Sequence, residues 1–222
     1  PAVASTCRTN QTSGFSIVSW TGDGTSGQVI AHNLNATPKM VWFKNRDTAS
    51  TNWRVYHTMA DGSLDFLYLN NDNAQTNSGL STFTSTTFTA GSSNETNGNG
   101  DEMIAYCFAP VDQYSAYGSY VSNGSTDGPF VFLGFQAKLI IWKNADDAHG
   151  WYMYDDTRDP DNPMSKYLAV HNSNAEGDPG GVMDVLSNGF KVRNTGSDMN
   201  TSTNKILYMA WAESPFKYNR AR

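Results

Sequence analysis

Charge is scarce in this chain. Only 16% of its 222 residues are Asp, Glu, Lys or Arg, and they leave a net charge of -6 with a pI near 5.0. A protein that works by neutralising phosphates needs a basic face, so nucleic acid is not an expected partner. Long apolar runs are missing as well. Nothing approaches the roughly 18 consecutive apolar residues of a membrane-crossing helix, and no membrane insertion is expected. The start, Pro1-Ala2-Val3-Ala4-Ser5-Thr6-Cys7, lacks the basic end and apolar stretch of a secretory signal. It also lacks an initiating Met, which reads as a fragment or a processed form. The two cysteines, Cys7 and Cys107, are too few for a disulfide framework. Cys107 lies in the apolar run 103–109 and reads as a buried free thiol, with a Cys7–Cys107 bridge as the alternative. No segment sustains helical periodicity over about 11 residues.

Ser, Thr, Asn and Gly are plentiful, and apolar residues come in short bursts between them, the pattern of sandwiches and barrels. The six Trp, eleven Tyr and eleven Phe supply bulk for a core, since each ring can bury roughly 150–250 Å². Laid against itself, the chain repeats. Lys39-Met40-Val41-Trp42-Phe43-Lys44-Asn45 matches Lys138-Leu139-Ile140-Ile141-Trp142-Lys143-Asn144, and Trp53-Arg54-Val55-Tyr56 matches Trp151-Tyr152-Met153-Tyr154. Ser19-Trp20-Thr21 matches Ser119-Tyr120-Val121, and 103–110 parallels 206–212 with Pro215 close behind. The offset drifts from 98 (Trp53 to Trp151) to 103 (Met103 to Ile206), as loop insertions would produce.

The expected fold is all-β, two tandem β-sandwich (jelly-roll-like) units related by internal duplication. An N-terminal arm spans 1–13, the first unit 14–114 and the second 115–222. Strands are expected near 15–21, 28–32, 39–45, 53–57, 66–70, 81–90 and 102–109, and again near 117–122, 129–135, 138–144, 151–155, 166–171, 183–192 and 205–212. Residues 40–43 and 103–109 read as central strands covered on both sides. Thr82-Phe83-Thr84 and Thr87-Phe88-Thr89 alternate and should show one face to water. Trp42, Trp142 and Trp211 should be buried. The duplication pairs Trp42 with Ile141, Trp53 with Trp151 and Phe108 with Trp211.

Gly14-Phe-Ser-Ile-Val-Ser-Trp-Thr-Gly-Asp-Gly-Thr25, Ala31-His-Asn-Leu-Asn-Ala-Thr-Pro-Lys-Met40, Val41-Trp-Phe-Lys-Asn-Arg-Asp47 and Asn52-Trp-Arg-Val-Tyr-His57 come in that order. Together with the stretches 104–109, 118–131, 186–195 and 208–218 they resemble a tandem β domain of virion structural proteins in marine and cyanobacterial tailed phages. The resemblance implies a particle component, a tail fibre or appendage domain contacting the host surface, located in the virion and without catalytic residues. A capsid decoration (cement) protein and a carbohydrate-binding module are the alternatives. Implied partners are other virion proteins and a host surface glycan, with a homotrimer as the assembly. The arm before Gly14 is too polar to fold alone and would gain order on a neighbour.

The loops 155–165 and 172–181 are the candidate recognition surface, with Asp155, Asp156, Asp159, Asp161, Asn172, Asn174, Glu176 and Asp178 as its residues, and the acidic run 154–163 is the candidate for a metal. Loops that differ most between repeats are freed from the shared structural task. Calcium favours such oxygen donors, but the spacing departs from the EF-hand loop and Arg158 competes for the carboxylates, so neither a metal nor another cofactor is expected. His32, His57, His149 and His171 belong to no nucleophile–base motif, and no enzyme is expected. Trp53 and Trp151 read either as matching core anchors or as platforms for a sugar. The sequons at Asn10, Asn35, Asn94, Asn123 and Asn200 are what chance gives in an Asn- and Thr-rich chain.

Overall fold

A computed structural model describes residues 3–213. Pro1 and Ala2 of the expected arm, Pro215 and the last part of the second unit lie outside the described residues. The chain divides into two units. The first comprises the described residues to Leu69 and Thr76–Pro110, the second Asn70–Gln75 and the described residues from Val111. The short segment Asn70–Gln75 thus departs from the expected boundary, and Gln75 N donates to Ala145 O at 2.7 Å.

The first unit contains β1 (Thr6–Asn10), β2 (Phe15–Thr21), β3 (Gln28–Ala31), β4 (Met40–Asn45), β5 (Arg54–His57), β6 (Asp65–Tyr68), β7 (Thr76–Asn77), β8 (Thr87–Ala90), the one-turn helix α1 (Asn94–Asn97) and β9 (Glu102–Phe108). Its large antiparallel sheet runs β1-β2-β9-β4-β5-β6-β7, and β3 pairs with β8. Trp20 and Phe43 of the large sheet meet Phe88 of the small one edge-on, at centroid separations of 5.6 and 5.3 Å. These rings, with Val18, Ile30, Val41 and Met103, fill the space between the sheets. Burying a side chain such as Phe43 or Phe88 contributes roughly 1.5–3 kcal/mol.

The second unit contains β10 (Ser115–Val121), β11 (Phe130–Phe132), β12 (Leu139–Asn144), β13 (Trp151–Asp155), β14 (Leu168–Ala169), β15 (Met183–Leu186), β16 (Gly189–Val192), α2 (Ser197–Asn200) and β17 (Lys205–Trp211). The order β10-β17-β12-β13-β14 repeats β2-β9-β4-β5-β6, and β11-β16 repeats β3-β8. Register makes the duplication residue-specific. Met40 faces both His57 and Phe108, while Leu139 faces both Asp155 and Trp211. It follows that Phe108 stands where Trp211 stands, Trp42 where Ile141 does and Trp53 where Trp151 does.

Each unit is closed by the same buried polar clasp. In the first, Asn97 Oδ1 accepts Trp20 Nε1–H at 3.2 Å and the amide of Asp23 at 3.3 Å. Its Nδ2 donates to Asp23 Oδ1 and Thr25 O. Asn45 Nδ2 donates to Asn94 O, and its Oδ1 accepts the amides of Asp47 and Thr48. In the second, Asn200 joins Asn123 N, Ser125 O and Asn194 O. Asn144 joins Ser197 O and the amides of Asp146 and Asp147. All four asparagines are buried to 1% exposure or less. Gly22 lets its loop reach α1 closely, since a Cβ there would lie 2.1 Å from Gly98 O. The sequon asparagine Asn200 is therefore a core residue, inaccessible to glycosylation as folded.

Several expectations are corrected. Thr6–Asn10 of the expected arm is not separate from the first unit, because β1 pairs along its whole length with β2 and Thr9 Oγ1 lies 2.8 Å from Ser16 Oγ. An edge strand holds by main-chain bonds and needs no apolar burst. Only Thr87–Ala90 of 81–90 is strand, because Thr84 Oγ1 accepts the amides of Thr86 and Thr87 and turns the chain. The span 183–192 is the hairpin β15–β16, and 166–171 reduces to β14. Along β9, Met103, Ala105 and Cys107 are fully buried while Ile104, Tyr106 and Phe108 are half-buried, so it is covered on one side only. Trp42 and Trp211 are likewise half-buried, because they alternate with the core-facing residues of their strands; Trp142 is buried. Both cysteines are free, and burial pushes the Cys107 thiol well up.

The clasp yields a stability test. Asn97→Ala and Asn200→Ala each leave buried partners unpaired, a cost of about 1–3 kcal/mol. Urea unfolding should show a comparable loss for both, whereas an exposed sequon such as Asn94→Ala should shift stability by less than about 0.5 kcal/mol.

Candidate functional site

The acidic loop leaves the end of β13 and is tied down by its own carboxylates. Asp155 Oδ1 accepts Arg158 N at 2.9 Å, and its Oδ2 lies 3.5 Å from Arg158 Nη2. Arg158 Nε reaches Glu176 Oε2 at 2.9 Å, linking the two candidate loops. Asp156 pairs with Lys138 at 2.8 Å. Asp159 Oδ2 accepts the amides of Ser165 and Lys166 at 2.5 and 2.9 Å, bonds that hold its carboxyl below the usual range. Ser165 Oγ donates to Asp178 Oδ1 at 2.6 Å. Asp155 and Glu176 thus meet through Arg158, and Asp159 and Asp178 through Ser165. Asn172 and Asn174 form a separate exposed turn, and Asp161 is exposed. Among the described residues no three His, Cys, Asp or Glu side chains gather as a metal site would need.

Asn162, the amide of the loop weighed as an oxygen donor for calcium, is instead spent on the chain: its Nδ2 donates to Val185 O at 2.8 Å and its Oδ1 accepts Val185 N at 2.9 Å. With Pro163 beside it, Asn162 read as a solvated loop residue. Asp156, Asp159 and Asn162 line a hollow of about 90 Å³.

A second cavity, of about 100 Å³, was passed over in the sequence, because its walls read as core strands. Trp142, Tyr152, Tyr154 and Tyr167 line it, with Asp198 of α2 and Pro179 of the 172–181 loop. Trp142 and Tyr154 lie 4.3 Å apart, and Tyr152 meets Tyr167 edge-on at 5.0 Å. Tyr167 packs where Gly177 offers no side chain; a Cβ there would sit 2.3 Å from the Tyr167 ring. Burial and the Asp198 carboxylate push the Tyr152 phenol up to about 12, so it stays protonated and donates to Asp198. His149 Nδ1 lies 2.7 Å from Asp198 Oδ1. Of the two tryptophans weighed as sugar platforms, Trp151 is fully buried and serves as a core anchor, while Trp53 is half-buried beside Tyr106.

Among the described residues Lys143 is the most perturbed cation. It is fully buried, and burial brings its ammonium down to about 8. Nζ donates to Asn144 O at 2.5 Å, with Asp72 O and Asp147 O at 3.4 Å, which fixes the chain around β12. A perturbed lysine flags a functional candidate, but these partners are main-chain oxygens and give it a structural role.

These geometries generate two predictions. Asp159→Ala should cost about 1 kcal/mol or more through its two amide bonds, while Asp161→Ala should stay within about 0.5 kcal/mol, both read by thermal unfolding. The Asp159 contribution is complete above the ordinary carboxyl value of 3.8 and is lost as pH falls through its lower folded value. Lys143 has the same sign in a higher window: between pH 8 and 10.5 the unfolded chain binds more protons, so stability rises with pH. Lys143→Met should flatten that rise in a pH series of unfolding midpoints.

Among the described residues no helix is long and apolar enough to cross a membrane. No curated protein and no solved structure matches the chain. One family model matches it, over residues 1–215, described as a domain of unknown function, DUF7483. The chain belongs to the DUF7483 family.

Proposed function

We propose that this chain is a non-catalytic structural protein of a tailed-phage virion, a tail-fibre or appendage domain that contacts the host surface through the second unit's loops. The observation that supports it is the unequal elaboration of two equal frames. Both units share strand order, register and the asparagine clasp, yet the loop after β13 is longer, with 11 residues between Asp155 and Tyr167 against eight between the matching His57 and Phe66, and Arg158 ties it to Glu176 of the exposed stretch 172–181. Rigid strands with divergent loops are how β modules carry recognition. Asp161, Asn172, Asn174, Glu176 and Asp178 are exposed there, and a host glycan or a neighbouring virion protein is the partner. Asp155, Asp156 and Asp159 hold the loop in shape beneath them.

A capsid decoration protein is the second reading. Phe132 is 67% exposed and Phe130 47%, both on the edge strand β11, and exposed aromatic rings suit packing against another subunit. The proposed assembly is a homotrimer. Its support no longer includes the N-terminal segment, which is held by β2 of its own chain.

Gold-labelled antibody against the chain should mark the tail tip of intact particles. Labelling over the capsid shell would favour decoration, and labelling of neither would overturn both readings. Asp161→Ala with Asn172→Ala and Asn174→Ala should weaken attachment to host cells while leaving the unfolding midpoint nearly unchanged.

A further inference from the structure

The two units use one position in opposite ways. In the first, Arg54 of β5 folds its guanidinium over three aromatic rings, 3.9 Å from the centroid of Phe66, 5.4 Å from that of Tyr68 and 5.9 Å from that of Tyr56. Its Nε lies 3.3 Å from Glu95 Oε2, and Nη1 donates to Ser93 Oγ. This is a cation held in an aromatic cage closed by a carboxylate. The cation is part of the chain.

Register identifies the matching residues of the second unit. Arg54 pairs with Tyr68, and Tyr152 with Ala169, so Tyr152 stands where Arg54 does. Tyr154 stands for Tyr56, Trp142 for Phe43, and Tyr167, just before β14, for Phe66. Asn45 and Asn144 bind the carbonyls of Asn94 and Ser197, so the next residues, Glu95 and Asp198, also correspond. The aromatic walls and the carboxylate are kept. The cation is replaced by Tyr152 and Tyr68 by the small Ala169, and a cavity of about 100 Å³ lies among these rings, with Asp198 on its wall.

We infer that this cavity is a binding site for a guanidinium cation from outside the chain, which rests beside Tyr152 among the aromatic walls and carboxylate that hold Arg54 in the first unit. The size fits a small planar group, since a cavity of about 150 Å³ holds benzene. A guanidinium can lie on the tyrosine rings and donate to Asp198, whose other contacts are the Tyr152 phenol and His149. Free alkylguanidines and the arginine side chain of a partner protein share this chemistry. One wall feature is left unused by a cation: Trp142 Nε1 is buried without a hydrogen-bond partner, and a sugar hydroxyl would satisfy it. A neutral sugar is therefore the rival ligand. The inference rests on the comparison of the two units and holds wherever the chain resides.

The test is titration of the intact chain with methylguanidinium, followed by the indole and tyrosine side-chain NMR signals. Methylurea, its neutral isostere, and N-acetylglucosamine are the controls, and acetyl-arginine-methylamide tests the protein-borne source. Methylguanidinium should shift Trp142, Tyr152 and Tyr167 saturably, and methylurea should not. Tighter binding of the arginine derivative would assign the site to a partner protein, and equal binding to free guanidines. Asp198→Asn should weaken methylguanidinium roughly fivefold or more, the loss of a charge-assisted contact. Tyr152→Arg, which installs the first unit's own arrangement, should abolish binding without lowering the unfolding midpoint. If that variant does not fold, Arg54→Ala supplies the reciprocal: it should lose stability that methylguanidinium restores and methylurea does not. Equal response to methylurea, preference for the sugar, or unchanged affinity in Asp198→Asn would overturn the inference.

Discussion

Each unit depends on a buried asparagine at its one-turn helix. Asn97 and Asn200 join the helix to the loop that leaves the first core strand, and Asn45 and Asn144 join the same helix to the end of a central strand. An amide side chain suits this task because it donates and accepts at once, so it can satisfy main-chain groups on two segments. Buried, these bonds are costly to break, because the partners are left without water. The helices themselves, four residues each, have too few turns to be stable alone. They exist because the clasp and the surrounding core hold them.

This explains what could be read from the sequence. The duplication was legible because large aromatic side chains recur at fixed spacings, and spacing is what a strand register preserves. Trp20 and Tyr120, or Trp53 and Trp151, advertise their positions by bulk. The clasp was not legible: in a chain rich in Asn, four structural asparagines look like turn residues or chance sequons. The edge strand β1 was missed for a related reason, since Thr6–Asn10 binds through its main chain and leaves no apolar trace. Of the candidate site, the exposed loops were visible as polar, divergent stretches. That Arg158 would take a loop carboxylate was legible; that it takes Asp155 and Glu176 while Asp159 is spent on main-chain amides was not, because composition does not say which carboxylate faces which donor.

The unequal fate of equivalent positions is the other lesson. Arg54 and Tyr152 share a register, and the environment around each has adapted to it. The first unit closes its cage with its own cation, while the second leaves space between the rings. A duplicated frame permits this, since one copy can keep a satisfied interior while the other changes what it contains.

The strand order also bears on how the chain is made. In each large sheet the last strand of the unit, β9 or β17, lies between the first and the third of the shared core, not at an edge. A ribosome delivers that strand only after the rest of the unit has emerged. Until then the flanking strands have no partner between them, and the sheet is two incomplete halves separated by a gap one strand wide. Pairing β2 with β9 joins residues about 90 positions apart, a long closure that slows folding. The unit therefore acquires its central hydrogen bonds in one late event, and a nascent chain stalled before that strand exposes two unsatisfied edges at once.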